Sequence, residues 1–173
     1  MVTTMTMLHE TRVAEVDRVL AAARATIAET IDCWVMTPSA SGGVHARVVQ
    51  PIPAAPEDED WTISLVTSAR SRKAAEIARA GCMTLGYQHA NRDYVALDGQ
   101  VTLVRDRAEL AARWQEPWRV HFPRGPEDPS LALVRLAVER IEVCVRGVSP
   151  EPFGSRYLTV TRDAAGAWAL AAN

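Results

Sequence analysis

Thr67, Ser68, Ser71, Arg72 and Lys73 fall within one short stretch, T-S-A-R-S-R-K, that joins three hydroxyls to three cations, Arg70 included. Such a set suits a phosphate dianion, because hydroxyls donate hydrogen bonds while guanidinium and ammonium groups neutralise the charge. The residues that follow, Ala74, Ala75, Ile77, Ala78 and Ala80, have the composition of a short helix, so the donors and cations sit at its start. A helix start adds unpaired backbone N–H groups and the positive end of the dipole, both of which favour an anion. The same residues also suit an ordinary helix cap with solvated charges, and residue types alone leave both readings open.

A strand must deliver this segment. Trp61, Ile63 and Leu65 alternate with Thr62, Ser64 and Val66, the period of a half-buried strand with its apolar set on one face. One strand earlier, Val44, Ala46 and Val48 form an apolar set. His45, Arg47 and Val49 point the other way, which puts Arg47 on a non-core face or at a cavity.

Four ordered stretches carry a resemblance. They are H-A-R-V-V-Q-P with Arg47, T-x-x-x-S-R-K after the apolar strand, Y-V-A-L-D-G-Q-V from Tyr94, and W-x-x-x-F-P-x-G-P-x-D-P from Trp118. Together they resemble the pyridoxamine phosphate oxidase superfamily, in particular its general stress protein branch. The resemblance implies a mainly β fold, the FMN-binding split barrel of Greek-key type with flanking helices. It further implies FMN as cofactor, with Thr67, Ser68, Ser71, Arg72 and Lys73 on the phosphate and Arg47 on the pyrimidine edge or ribityl chain. Backbone near Val48 and Val66 would flank the ring. Tyr94 takes a place where relatives often have Gln, near the phosphate or dimethylbenzene side. The family's cleft lies between subunits, so a homodimer is implied, with the Trp114, Trp118 and Phe122 segment approaching the partner's flavin. In function the resemblance points to redox chemistry on a small-molecule substrate or electron donor, with non-catalytic flavin binding, buffering or stress sensing as one alternative and a deazaflavin-dependent reductase as another. Haem-binding relatives keep a remote reading for His45 or His121.

Two departures narrow this. Relatives tend to read E-x-W where this chain has Glu142-Val143-Cys144, and the C-terminal Arg-x-His clamp of true pyridoxamine phosphate oxidases is missing. With only one good phosphate site, vitamin B6 oxidation is not expected.

Composition bounds the rest. A chain of 173 residues fits a single domain, and a net charge of −2 gives no electrostatic case for nucleic acid or an anionic membrane. Cys33, Cys82 and Cys144 are widely spaced in apolar runs and read as buried thiols of a cytoplasmic protein. Four scattered histidines suggest no metal site, and no G-x-S-x-G or Cys–His signature supports hydrolysis. Disorder is expected over residues 1–8, then an amphipathic helix over 9–28 with Val13, Val16, Leu20, Ala23 and Ile27 on one face. A barrel with inserted helices should occupy 31–145 and an added hairpin 155–171. Gly99, inside a long strand from Tyr94 to Val104, should mark a bulge or the close approach of something flat. Asp106 should cap a helix that Pro117 ends, and Asp128-Pro129 should cap another. Many strands without a βαβ rhythm argue for a closed barrel over a Rossmann sheet.

Overall fold

Alternating apolar residues, broken by Gly and Pro, build a ladder of antiparallel strands around one main core. The computed structural model describes residues 2–55, 58 and 60–171, the side chains of residues 2–10 excepted. In chain order the elements are α1 (Val2–Ala28), β1 (Cys33–Pro38), β2 (Val44–Val49), β3 (Thr62–Ser68), α2 (Arg72–Ala80), β4 (Cys82–Gln88), β5 (Tyr94–Val104) and α3 (Arg107–Ala112). Two 3₁₀ turns (Glu116–Val120 and Gly125–Glu127) lead to β6 (Leu131–Cys144), β7 (Leu158–Arg162) and β8 (Trp168–Leu170).

The strand order is β2-β1-β4-β5-β6-β7-β8, with β3 also paired to β6. Strand β6 is long enough to serve two partners on one edge, β3 along Leu131–Ala137 and β7 along Arg140–Val143. The ladder does not close as a full barrel. Between β2 and β3 the described residues offer an isolated bridge, Ile52 to Ser64, in place of a strand pairing. Pro51 and Pro53 flank that bridge and lack the N–H a ladder needs. The split is therefore written into the connection between the two strands that border it.

The main core gathers Val35, Leu65, Ile77, Leu85, Leu97, Leu136 and Ile141 with Val19 and Ala23 of α1. A smaller cluster of Ile52, Leu110, Phe122, Leu131 and Leu133 sits beside the split.

Several expectations are corrected. Helix α1 begins at Val2, so residues 2–8 are helical where disorder was expected; Met1 lies outside the described residues. Its buried stripe is Val16, Val19 and Ala23, while Val13 is 46% exposed. On β2 the faces are reversed: Val44 and Val48 are exposed and Val49 packs on the core, since alternation defines two faces and packing against the rest of the sheet selects the buried one. Asp106 does cap α3, accepting from Glu109 N–H, but the helix stops at Ala112 and Pro117 stands instead in the first turn of the next 3₁₀ segment. Asp128 caps only a turn, accepting from the backbone and hydroxyl of Ser130, and the chain then enters β6 as one continuous strand.

Gly99 sits at the bulge between β5 and β6, where the register shifts. A Cβ there would fall on the carbonyl oxygen of Ala137, so the close approach is that of the neighbouring backbone. Gly99→Ala must push the two central strands apart, and overpacking of this kind costs about 1–3 kcal/mol. Thermal unfolding is expected to show it as a clear drop in midpoint, and an unchanged midpoint would mean that the bulge yields freely.

Candidate functional site

The site grows from the end of β3. There the chain turns, Ala69 N–H donating to Ser130 O (2.6 Å) and Ser71 N–H to Ser68 O (2.9 Å). Ser71 then caps α2, its hydroxyl accepting from Ala74 N–H at 3.1 Å. The Ser71 hydroxyl also lies 3.2 Å from that of Thr67, so the two are held together at the helix start. Gly81 closes the other end in the left-handed region (φ 66°), which an L side chain adopts only with strain.

A cleft of about 710 Å³ opens along the split between β2 and β3. Its lining includes Val48, Val66, Thr67, Ser68, Lys73 and Trp118, six of the residues singled out from the sequence. The volume falls within the range of about 300–1,000 Å³ usual for ligand pockets. Ile52 and Phe122 supply apolar wall, while Gln50, Gln115 and His121 add polar groups that the sequence reading did not assign to this site. Trp118 belongs to the same chain's cleft as Lys73, so it needs no partner subunit to reach this place.

Lys73 is the notable charge. Burial depresses its pKa and the nearby Arg47 guanidinium depresses it further, with the Cys33 thiol acting weakly the other way. Among the described residues it pairs with no carboxylate, unlike Arg47 and Arg72. An ammonium half-withdrawn from water beside a capped helix start is chemically suited to an anion.

Arg47 differs from expectation. It does not line the cleft. Its guanidinium donates to Thr37 Oγ1 (2.6 Å) and to Glu76 Oε2 (2.9 Å). Glu76, on α2, is buried and also accepts from Thr37 Oγ1 at 2.5 Å, while its other oxygen lies 2.5 Å from His45 Nδ1. Arg72, with its side chain 66% exposed, approaches that second oxygen at 3.5 Å. These contacts, led by the Thr37 hydroxyl, hold the Glu76 carboxyl down at about 2 against the opposing effect of burial. Glu76 was missed in the sequence. The available signal was its place between Ala74 and Ile77, both buried, and its i,i+4 spacing from Arg72.

Tyr94 also lies elsewhere. It lines a second cavity, of about 620 Å³, with Trp34, Met36, Cys144 and Tyr157. The Tyr94 and Tyr157 rings meet edge to face with centroids 6.4 Å apart. Cys144, standing where relatives tend to have Trp, is buried at this cavity.

Residues 20–147 match the family described as pyridoxamine 5'-phosphate oxidase like. This chain belongs to that family. Its fold is shared with a protein related to general stress protein 26 of B. subtilis, of the pyridoxinephosphate oxidase family, from Clostridium acetobutylicum (15% identity, 82% of this chain and 93% of that chain covered, TM-score 0.67). It is shared too with a pyridoxamine 5'-phosphate oxidase-related, FMN binding protein from Nostoc punctiforme PCC 73102 (17% identity, 90% and 93% covered, TM-score 0.60). A third is PhzG from Burkholderia lata 383, solved with tetrahydrophenazine-1-carboxylic acid (17% identity, 92% and 90% covered, TM-score 0.60). No curated protein matches. At these identities the likeness speaks for the fold, and the site of this family member rests on its own residues. Among the described residues, no helix of this family member is long and apolar enough to cross a membrane.

Proposed function

We propose that this member of the pyridoxamine 5'-phosphate oxidase-like family binds FMN in the cleft at the split, in the manner of the general stress protein branch. In this reading it is a cytoplasmic redox protein acting on a small molecule. The observation that carries the reading is the half-buried Lys73 ammonium, with no carboxylate partner among the described residues, beside the capped start of α2 and the hydroxyls of Thr67 and Ser68. Those groups fit a phosphate: Lys73 neutralises it, the N–H groups of the first turn donate to it, and Thr67 and Ser68 are placed to add hydroxyl bonds. The apolar wall of Val48, Val66, Ile52 and Trp118 fits a planar ring and keeps water from it. FMN, once bound, supplies the hydride or electron-pair chemistry itself, and the protein's part is to hold and orient it.

A homodimer follows from the same reading. Tyr94 and Cys144, in the second cavity, serve a flavin in the split only from another copy of the chain. Trp34, Val44 and Val48 leave an exposed apolar face on β1 and β2 suited to a two-fold contact. The expected result from light scattering is a dimer at micromolar concentration with flavin bound; a flavin-loaded monomer would contradict it.

A second reading, flavin binding without turnover, is favoured by one observation. Arg47, the side chain that the resemblance puts on the pyrimidine edge or ribityl chain, is paired with Glu76. Stopped-flow reduction separates the two readings. Turnover predicts that NADH or NADPH reduces the bound flavin faster than free FMN. Reduction no faster than free FMN with both donors would leave the binding protein as the reading that stands.

A further inference from the structure

Three cations surround the start of α2, and their charges are not equally available. Arg47 places one guanidinium nitrogen 2.9 Å from Glu76 Oε2 and another 2.6 Å from the Thr37 hydroxyl, which itself donates to the same carboxylate. Arg72 reaches the other carboxylate oxygen at 3.5 Å, where His45 Nδ1 also lies, at 2.5 Å. Lys73 alone of the three lines the cleft. The carboxylate that both guanidinium groups approach stands on the second turn of the same helix whose first turn carries Lys73.

We infer that Glu76 is a positioning residue for the anion site: it draws Arg47 and Arg72 away from the cleft and leaves Lys73 as the cation that meets a phosphate. This rests on the phosphate reading given above, and it adds that the site is held at less than its full positive charge. A negative charge one turn from the bound anion opposes it directly, and it offsets one of the two guanidinium charges beside it. The arrangement trades affinity for order. The clamp ties α2 to β1 and β2, and the ligand is held less tightly than the basic sequence T-S-A-R-S-R-K suggests.

The consequence has an unusual sign. Glu76→Gln keeps an acceptor for Thr37 and Arg47 but removes the charge, so the fold should become less stable while FMN binds about 3- to 10-fold more tightly. Riboflavin, with no phosphate, should change by less than about twofold. A purely structural Glu76 predicts instead that FMN and riboflavin weaken together, and that result would overturn the inference. Arg72→Met provides a second route that spares the core, since that side chain is mostly exposed. With Arg72 outside the cleft lining and turned towards Glu76, its removal should cost FMN less than about threefold, against about tenfold or more for Lys73→Met. Equal losses from the two variants would also overturn the inference. Should Lys73→Met fail to separate FMN from riboflavin, the phosphate reading itself falls, so the two failures are distinguishable.

Discussion

Lys73→Met is expected to weaken FMN by about 10- to 100-fold and to leave riboflavin within about twofold. Each charge-assisted hydrogen bond to a phosphate contributes about 1.5–3 kcal/mol, and a tenfold change in affinity corresponds to about 1.4 kcal/mol. Met keeps most of the aliphatic length that lines the cleft, so the loss isolates the ammonium. The effect should not be read as lost folding. Burial and Arg47 already disfavour the charged form of Lys73, so the substitution relieves the free protein while depriving the ligand. Isothermal titration with the two flavins side by side gives the ratio. A variant that loses both equally would show that Lys73 shapes the cleft and does not bind the phosphate.

Arg47→Leu is expected to produce the largest loss of stability among single cation substitutions near the site, lowering the unfolding midpoint by several degrees. The guanidinium is the close charged partner of a buried carboxylate, and removing one member of such a pair leaves the other without its compensation. Thr37, His45 and Arg72 remain, but a hydroxyl, an imidazole and a mostly exposed guanidinium at 3.5 Å do not replace a positive charge held at 2.9 Å. Because the cost lies in the orphaned carboxylate, Arg47→Leu combined with Glu76→Gln should lose less than the sum of the two single variants. Thermal unfolding of the four proteins forms the cycle. Strict additivity would mean that the pair is incidental. FMN should also bind more weakly to Arg47→Leu, through the uncompensated Glu76 charge, although Arg47 does not line the cleft.

Much of the fold could be read directly. Strands β4 and β5 run over Cys82–Gln88 and Tyr94–Val104, the bounds that their alternation and the flanking turn residues suggest. Ser71 as a cap was legible because a hydroxyl before a short apolar helix has few other local uses. The Glu76 clamp was not. Its partners Thr37 and Arg47 lie 39 and 29 residues away in sequence, and on its own helix a glutamate four positions after an arginine looks like a solvated pair. The reversal of β2 has a related cause. An alternating pattern gives two faces but does not say which is buried, and on an edge strand Val44 and Val48 can stay exposed. Tyr94 was assigned to the same site as Lys73 by resemblance, yet the two line different cavities of one chain. Sequence order does not say which cavity of the folded chain two residues share.

Titration of the unmodified protein with FMN and with riboflavin decides whether the cleft at the split is a phosphate-anchored flavin site. Saturation is expected at one FMN per chain, with the flavin absorption band perturbed on binding. FMN is expected to bind at least tenfold more tightly than riboflavin, the share owed to Lys73 and the start of α2. Absence of FMN binding, or equal affinity for the two flavins, would contradict it.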